Sequence, residues 1–209
     1  MNPFLEITND AYHADHSRVG HSMLEIFRRS PVEYAARFVH HTMLHPEPTP
    51  AKCLGAALHA LVMEPDRYDE LTAVAPDVDR RTKEGKASWS QFLAEAGQRT
   101  VITEEQNEIV TKMAKSVLAH PEAAKLFKRA EHREKAVYWT NEATESELLG
   151  DLSGRVSPIE RKCKFDLLYA AGAVIGDLKT ANDPTPSAWS RQAATLSASA
   201  SWPGPHCPS

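Results

Sequence analysis

The chain has 209 residues, of which 42% are apolar and 25% are charged, proportions close to those of average soluble globular domains. They exclude a fibrous or largely disordered protein, and the length predicts one catalytic domain with a substantial core. The formal net charge of −4 excludes a uniformly basic nucleic-acid-binding domain, so any contact with DNA has to be local.

The cysteines and the apolar runs also limit the class of protein. Cys53, Cys163 and Cys207 lie far apart, without the spacing of a zinc finger, an iron–sulfur site or a disulfide scaffold. No basic region followed by an apolar stretch opens the chain, and no run of about 18 apolar residues occurs. We expect a cytoplasmic, soluble protein with no membrane partner.

The first elements are an arm and two helices. Residues 1–20 are polar and aperiodic, which favours a flexible extended arm; His13 and His16 could hold a metal, but a solvated arm is the simpler interpretation. Apolar residues at helical spacing start after Ser22, and Ser30-Pro31 starts a second helix.

The next helix carries a histidine of interest. The run Leu54–Glu64 places its leucines and Val62 on one apolar stripe, with His59 at the edge of that stripe. Taken alone, His59 is typical of the rim of a core.

An irregular, proline- and charge-rich connection is predicted for residues 65–86, with helices after it. Thr103 and Gln106 have capping-box spacing at the start of a long helix, which His120-Pro121 ends before another begins. Two basic clusters stand out, and each suits either a solvated surface or phosphate contacts: Arg80, Arg81, Lys83 and Lys86, and the segment Glu160–Lys164.

The second half of the chain changes to β-type runs. Strands are predicted at Ala136–Thr140, Cys163–Tyr169 and Ala173–Leu178, with Gly172 as the turn of a hairpin between the last two. Helices followed by strands indicate an α/β (α+β) domain with a mixed central sheet flanked by helices. We expect this domain over residues 21–192 and a disordered tail over residues 193–209, which are rich in Ala, Ser and Pro.

The end of that hairpin carries groups suited to metal chemistry. Asp166 lies in the first strand, and Asp177 and Lys179 flank Leu178 at the end of the second, so the acids and the amine can share a surface. Mg²⁺ prefers carboxylate oxygens, and the backbone carbonyl of Leu178 could supply another oxygen. Without further context, the Asp-x-Lys triplet is equally the weak surface pair of an ordinary strand end.

The order of several motifs resembles the PD-(D/E)XK nuclease domain of exodeoxyribonuclease VIII-like proteins, the recombination exonucleases of phages and prophages. The resemblance runs from about residue 22 to residue 189, and these motifs carry it: Gly55-x-x-x-His59 with Glu64-Pro65, residues 79–86, His120-Pro121, Lys162-x-Lys164-x-Asp166 and Asp177-Leu178-Lys179-Thr180.

The resemblance implies roles for particular residues. His59, Asp166 and Asp177 would bind Mg²⁺ or Mn²⁺, and Lys179 would be the catalytic lysine that positions the attacking water. Glu134 and Thr180 are possible accessory residues. The resemblance further implies an exonuclease that resects double-stranded DNA ends, with a single-strand annealing protein and a homo-oligomer as possible partners.

The chain departs from that family after Trp189. Members continue into a helix with a Gln-x-x-x-Tyr motif, which residues 192–209 lack, so we expect the C-terminal part of the domain to be missing and activity to be impaired. Two alternatives stay open: a catalytically impaired DNA-binding or recombination-partner protein of the same fold, and an endonuclease of the same superfamily.

Overall fold

The structure is a computed structural model that describes residues 4–44, 46–141, 159–169, 174–181, 185 and 187. The strands are β1 (Phe4–Glu6), β2 (Thr72–Ala75), β3 (Thr100–Thr103), β4 (His132–Asn141), β5 (Ile159–Tyr169) and β6 (Val174–Gly176). The α-helices are α1 (Asn9–Ala14), α2 (His21–Arg29), α3 (Pro31–Tyr34), α4 (Pro50–Met63), α5 (Tyr68–Leu71), α6 (Lys83–Ala96), α7 (Glu104–Ala119) and α8 (Pro121–Arg129). A π-helical turn, Ala35–Val39, extends α3, and a 3₁₀ turn, Pro65–Arg67, precedes α5.

The strands form two sheets within the described residues. A four-stranded antiparallel sheet has the order β1-β4-β5-β6, and β2 pairs with β3 in parallel. The predicted hairpin is present, since Leu167 pairs with Gly176 and Tyr169 with Val174. The mixed α/β class expected from the sequence is confirmed, with helices packed against the strands.

Helix α4 is the centre of the main core. Thr49 caps its first turn by accepting a hydrogen bond from Lys52 N–H, and Pro50 occupies the first turn, where its missing N–H costs nothing. Its apolar stripe is buried as predicted: Leu58 and Val62 are each 2% exposed and pack in one cluster with Ile102 of β3, Val110 of α7 and Leu167 of β5. This packing fixes the position of α4 along and around its own axis, and with it the direction in which His59 points.

The capping box of α7 is confirmed. Thr103 accepts from the backbone N–H of Gln106, and the Gln106 side chain accepts from the backbone N–H of Thr103. His120 ends this helix and then caps α8, where its Nδ1 accepts from Ala123 N–H.

The N-terminal residues differ from the expected extended arm. Residues 4–14 contain β1 and α1, and β1 pairs antiparallel with β4, with Phe4 opposite Val137. Lys162 on β5 is only 4% exposed and donates to the backbone carbonyls of Tyr12 and Asp15. The segment is short and polar, and its order comes from these long-range contacts. Local periodicity therefore does not reveal it.

The connection over residues 65–86 is also more regular than expected. It contains α5 and β2, and α6 begins at Lys83 rather than near Ser88, because Thr82 caps it by accepting from Gly85 N–H. Residues 193–209, for which a disordered tail is expected, and the Gln192–Ala194 region lie outside the described residues. None of the described helices combines the length and the apolar character needed to cross a membrane.

Candidate metal centre

Three side chains from three elements meet beside the core. His59 of α4 points at Asp166 of β5, with Nε2 3.0 Å from Oδ2, and at Glu134 of β4, with Nδ1 3.4 Å from Oε1. All three are partly buried, and one ligand atom from each lies within 4.8 Å of the others. We refer to His59, Glu134 and Asp166 as the acidic trio.

The two carboxylates of the trio stand opposite each other across β4 and β5. Arg133 pairs with Leu167 and Lys135 with Phe165, which leaves Glu134 and Asp166 facing each other without a ladder pairing of their own. Like charges at facing positions repel each other and destabilise a sheet. A cation between them removes this penalty.

The backbone at this position is unusual. Glu134 has φ +51°, in the left-handed region that non-glycine residues rarely adopt. The alternation of side chains between the two faces of β5 also shifts opposite Glu134. In a regular strand Phe165 would share a face with Leu167 and Tyr169, but it packs in one cluster with Leu168, whereas Leu167 and Tyr169 pack in the other. Strained backbone of this kind concentrates at functional sites.

The electrostatics of His59 and Asp166 are coupled. Burial lowers the pKa of His59, but the hydrogen bond and charge of Asp166, with the charge of Glu134, outweigh burial and raise the pKa above its ordinary value. Burial raises the pKa of Asp166, yet the contacts with His59 and the hydrogen bond from Leu178 N–H lower it overall. Each group therefore stabilises the charged form of the other.

Asp177 and Lys179 lie just after β6 and flank the trio. They form an exposed ion pair with Nζ 2.8 Å from Oδ1, while Leu178 packs against the core, so the predicted alternation of the three side chains is present. Burial raises the pKa of the Cys163 thiol, and the charges of Asp166 and Asp177 raise it further. The structure joins Asp166 to His59 and leaves Asp177 outside the trio.

The segment after β6 is tied directly to the trio and to α4. Leu178 N–H donates to Asp166 Oδ2 at 2.7 Å. The Thr180 hydroxyl lies 3.2 Å from where a Cβ on Gly55 would stand. Gly55 is one helical turn before His59, so the absence of a side chain there lets this segment approach the face of α4 that carries the histidine.

The trio opens into a large cleft of about 1310 Å³. Its walls include His59, Glu134, Lys164, Leu178 and Lys179, and α1 contributes Asn9, Asp10 and His13. The cleft therefore reaches His59 and Glu134 of the trio.

The predicted basic cluster lies elsewhere. Arg80, Arg81, Lys83 and Lys86 are exposed at the start of α6, and the described residues that line the cleft include none of them. Arg80 stacks on Trp89, with its guanidinium carbon 4.4 Å from the ring centroid, and Arg81 pairs with Asp79. The second cluster is not a solvated surface, because Lys162 is buried and the Lys164 side chain is only 13% exposed.

Sequence reasoning gave Glu134 only an accessory role, and the structure gives it a central position. Two signals in the sequence pointed to it: it is an acidic residue that opens a β-type run, and it matches a position where members of the resembled family often carry an acid. The register that sets it opposite Asp166, and the φ that turns it toward His59, depend on pairing between distant segments.

The donor set fits a divalent cation. Glu134 Oε1 is buried and accepts no hydrogen bond from any described residue, whereas buried polar atoms are normally satisfied. Two carboxylates and one imidazole suit Mn²⁺ well and are compatible with Mg²⁺.

Comparison with known proteins gives one match. A family model described as a PDDEXK-like domain of unknown function (DUF3799) matches residues 20–198. No curated protein and no solved structure matches the chain.

Proposed function

Because the chain belongs to this family of PDDEXK-like domains, we propose that it is a divalent-metal-dependent nuclease that cleaves DNA at the acidic trio. The observation that carries the proposal is the convergence of His59, Glu134 and Asp166, of which His59 and Glu134 line the cleft. Family membership supports the nuclease class. The trio supplies the cation-binding groups that this chemistry needs.

Each residue has a distinct role in the proposal. The acidic trio would hold Mg²⁺ or Mn²⁺, with Asp177 and the Leu178 carbonyl as further oxygen donors beside it. When bound, the cation would act as a Lewis acid toward the scissile phosphate and make water a better nucleophile. Lys179 would place its ammonium near the phosphate, orient the attacking water and stabilise the negative charge that develops during attack.

The finer proposal is an exonuclease that resects double-stranded DNA ends, which rests on the order of the sequence motifs. A role in phage-type recombination, a single-strand annealing partner and an oligomer are proposed on the same ground. In this proposal Thr180 contributes only to the packing of the segment after β6 against α4.

The first prediction tests the nuclease and its site. With Mg²⁺ or Mn²⁺, the chain should degrade linear duplex DNA, and Asp166→Asn should lose both Mn²⁺ binding and cleavage, since it removes a carboxylate of the trio. Asp177→Asn should lose cleavage while the far-UV circular dichroism stays unchanged. Digestion is followed on gels and Mn²⁺ binding by titration calorimetry.

The matched control is Asp10→Asn, because Asp10 is an acid that lines the same cleft on α1 and is not part of the trio. It should keep full activity. Cleavage retained by Asp177→Asn would mean that this residue is misassigned. Cutting of covalently closed circular DNA would identify an endonuclease, and a chain that binds DNA without binding Mn²⁺ would be a non-catalytic binding protein.

A further inference from the structure

Lys164 connects the acidic trio with the N-terminal segment. Its Nζ lies 2.7 Å from Glu134 Oε2 and 2.6 Å from Asn9 Oδ1 at the start of α1. Its side chain is 13% exposed, and the Glu134 side chain that it contacts is 11% exposed. The contact is therefore largely shielded from solvent, unlike most lysine–carboxylate pairs at a protein surface.

The two oxygens of Glu134 have different neighbours. Oε2 accepts from Lys164, whereas Oε1 faces Nδ1 of His59 inside the trio and accepts no hydrogen bond from the described residues. The amine thus holds the outer oxygen and leaves the inner oxygen available to a cation. Asn9 binds the same amine, so the position of Lys164 is fixed from a second element.

Glu134 needs such a restraint because its backbone is in the left-handed region and faces Asp166 across the strands. Repulsion between the two carboxylates favours a rotamer of Glu134 that turns away from the trio. An ion pair with Lys164 opposes that rotation. Lys179 has no equivalent role, since it pairs with Asp177 and is half exposed.

We propose that Lys164 is a positioning residue of the metal centre, which orients Glu134 so that its Oε1 faces the bound cation. The proposal rests on the proposed function and adds a residue that acts through Glu134, without contact with the DNA. The proposal predicts the direction of the effect: removing the Lys164 amine should weaken cation binding. A purely electrostatic role of the amine would predict stronger binding. If the ammonium only repelled the cation, or competed with it for Glu134, removing the ammonium would strengthen cation binding.

The test is Mn²⁺ binding to the metal-free full chain, measured by titration calorimetry. Lys164→Met should weaken Mn²⁺ binding by about tenfold or more, the effect typical of residues that orient metal ligands. Lys164→Arg keeps the charge and the hydrogen bond to Glu134, and it should restore most of the affinity. Asn9→Ala, at an exposed position, should weaken binding in the same direction by a smaller factor.

A double-mutant cycle separates positioning from a general structural effect. In a Glu134→Gln background, Lys164→Met should cause no further loss of Mn²⁺ affinity, because the carboxylate through which it acts is gone. The matched control is Lys135→Met, which removes a lysine that lines the same cleft but pairs with Glu6 instead of the trio. It should bind Mn²⁺ like the parent.

The outcomes distinguish the two proposals. Unchanged or tighter Mn²⁺ binding by Lys164→Met, in a parent that binds Mn²⁺, overturns the positioning role and leaves the proposed function intact. An additive loss in the Glu134→Gln background overturns it as well. If the parent binds no Mn²⁺, the proposed function fails and the role of Lys164 fails with it. Should Lys164→Met not fold, Asn9→Ala decides, and equal affinity with the parent refutes the proposal.

Discussion

The backbone of Glu134 stores conformational strain at the candidate metal centre. Its φ of +51° puts the Cβ close to the following carbonyl oxygen, which costs about 1–2 kcal/mol for an L-residue. The strain places the carboxylate beside His59 and Asp166. A glutamate at this position is therefore not favoured by backbone stability, in keeping with the role proposed for it in cation binding.

This strain gives a prediction for two side-chain deletions. Glu134→Gly should be more stable than Glu134→Ala by up to about 1 kcal/mol, because glycine adopts positive φ without a Cβ clash. Both variants lose the carboxylate, so both should lose Mn²⁺ affinity equally. Urea unfolding measures the stability difference; an alanine variant as stable as the glycine variant would show that position 134 is not strained.

Sequence patterns and the structure agree for some residues of the site and not for others. His59 lies where the helical period of α4 puts it, and Asp177, Leu178 and Lys179 alternate as neighbours along the chain do. Local period determines both, so the sequence predicts them. Glu134 and Lys164 meet across β4 and β5, and their roles depend on a register that no local pattern contains.

At the scale of elements, the sequence predicts helices and strands that a short local motif marks, and it misses those that no such motif marks. The capping box of α7 and the hairpin of β5 and β6 were both found from short motifs. Strands β2 and β3 have four residues each and pair in parallel, with α6 between them in the chain. Val74 of β2 and Ile102 of β3 pack in the same apolar cluster as α4. Such packing between distant segments leaves no local pattern, so the sequence indicated an irregular connection where β2 lies.

The N-terminal segment also contains a local ion pair just after α1. Asp15 accepts from Ser17 and Arg18, with Arg18 Nη1 2.8 Å from Oδ2. Burial raises the pKa of Asp15, but these hydrogen bonds outweigh it and lower the pKa to about 2. The lowered pKa means that folding favours the charged carboxylate.

Asp15→Asn should therefore reduce the free energy of unfolding at pH 7, by on the order of 1 kcal/mol. A lowered folded-state pKa stabilises the fold above the unfolded pKa near 4, and that stabilisation disappears as the pH falls toward 2. The difference between parent and variant should stay constant down to about pH 5 and shrink below it in urea-unfolding curves. Exposed Asp77→Asn is the control, and a difference that is independent of pH would contradict the assignment.

At the scale of the whole molecule, two surfaces are candidates for DNA contact: the cleft and the basic cluster at the start of α6. Their charges differ. The net charge is −4, and the cations of the cleft are mostly paired with acids. The cluster of Arg80, Arg81, Lys83 and Lys86 is exposed at the start of α6, outside the cleft lining. If this cluster contacts DNA, it does so through backbone phosphates that lie outside the cleft beside the acidic trio.

Replacing these four residues with Gln should weaken duplex binding and reduce its salt dependence, because each lost phosphate contact lowers the slope of log affinity against log salt by about 0.9. Binding is measured by fluorescence anisotropy in the Asp166→Asn background, which prevents cleavage. A charge-matched control replaces exposed lysines of α7 and α8, namely Lys112, Lys115, Lys125 and Lys128. Equal slopes for both quadruple variants would exclude a role for the α6 cluster.

The pairing of β1 with β4 also has a consequence for biosynthesis. Glu6 and Lys135 are 129 positions apart, so β1 leaves the ribosome long before its partner β4 has been made. At about 5–20 residues per second, that delay is on the order of 10 s. Strand β1 and helix α1 consequently dock late, and the part of the cleft lining that α1 contributes is completed only after β4 and β5 have been made.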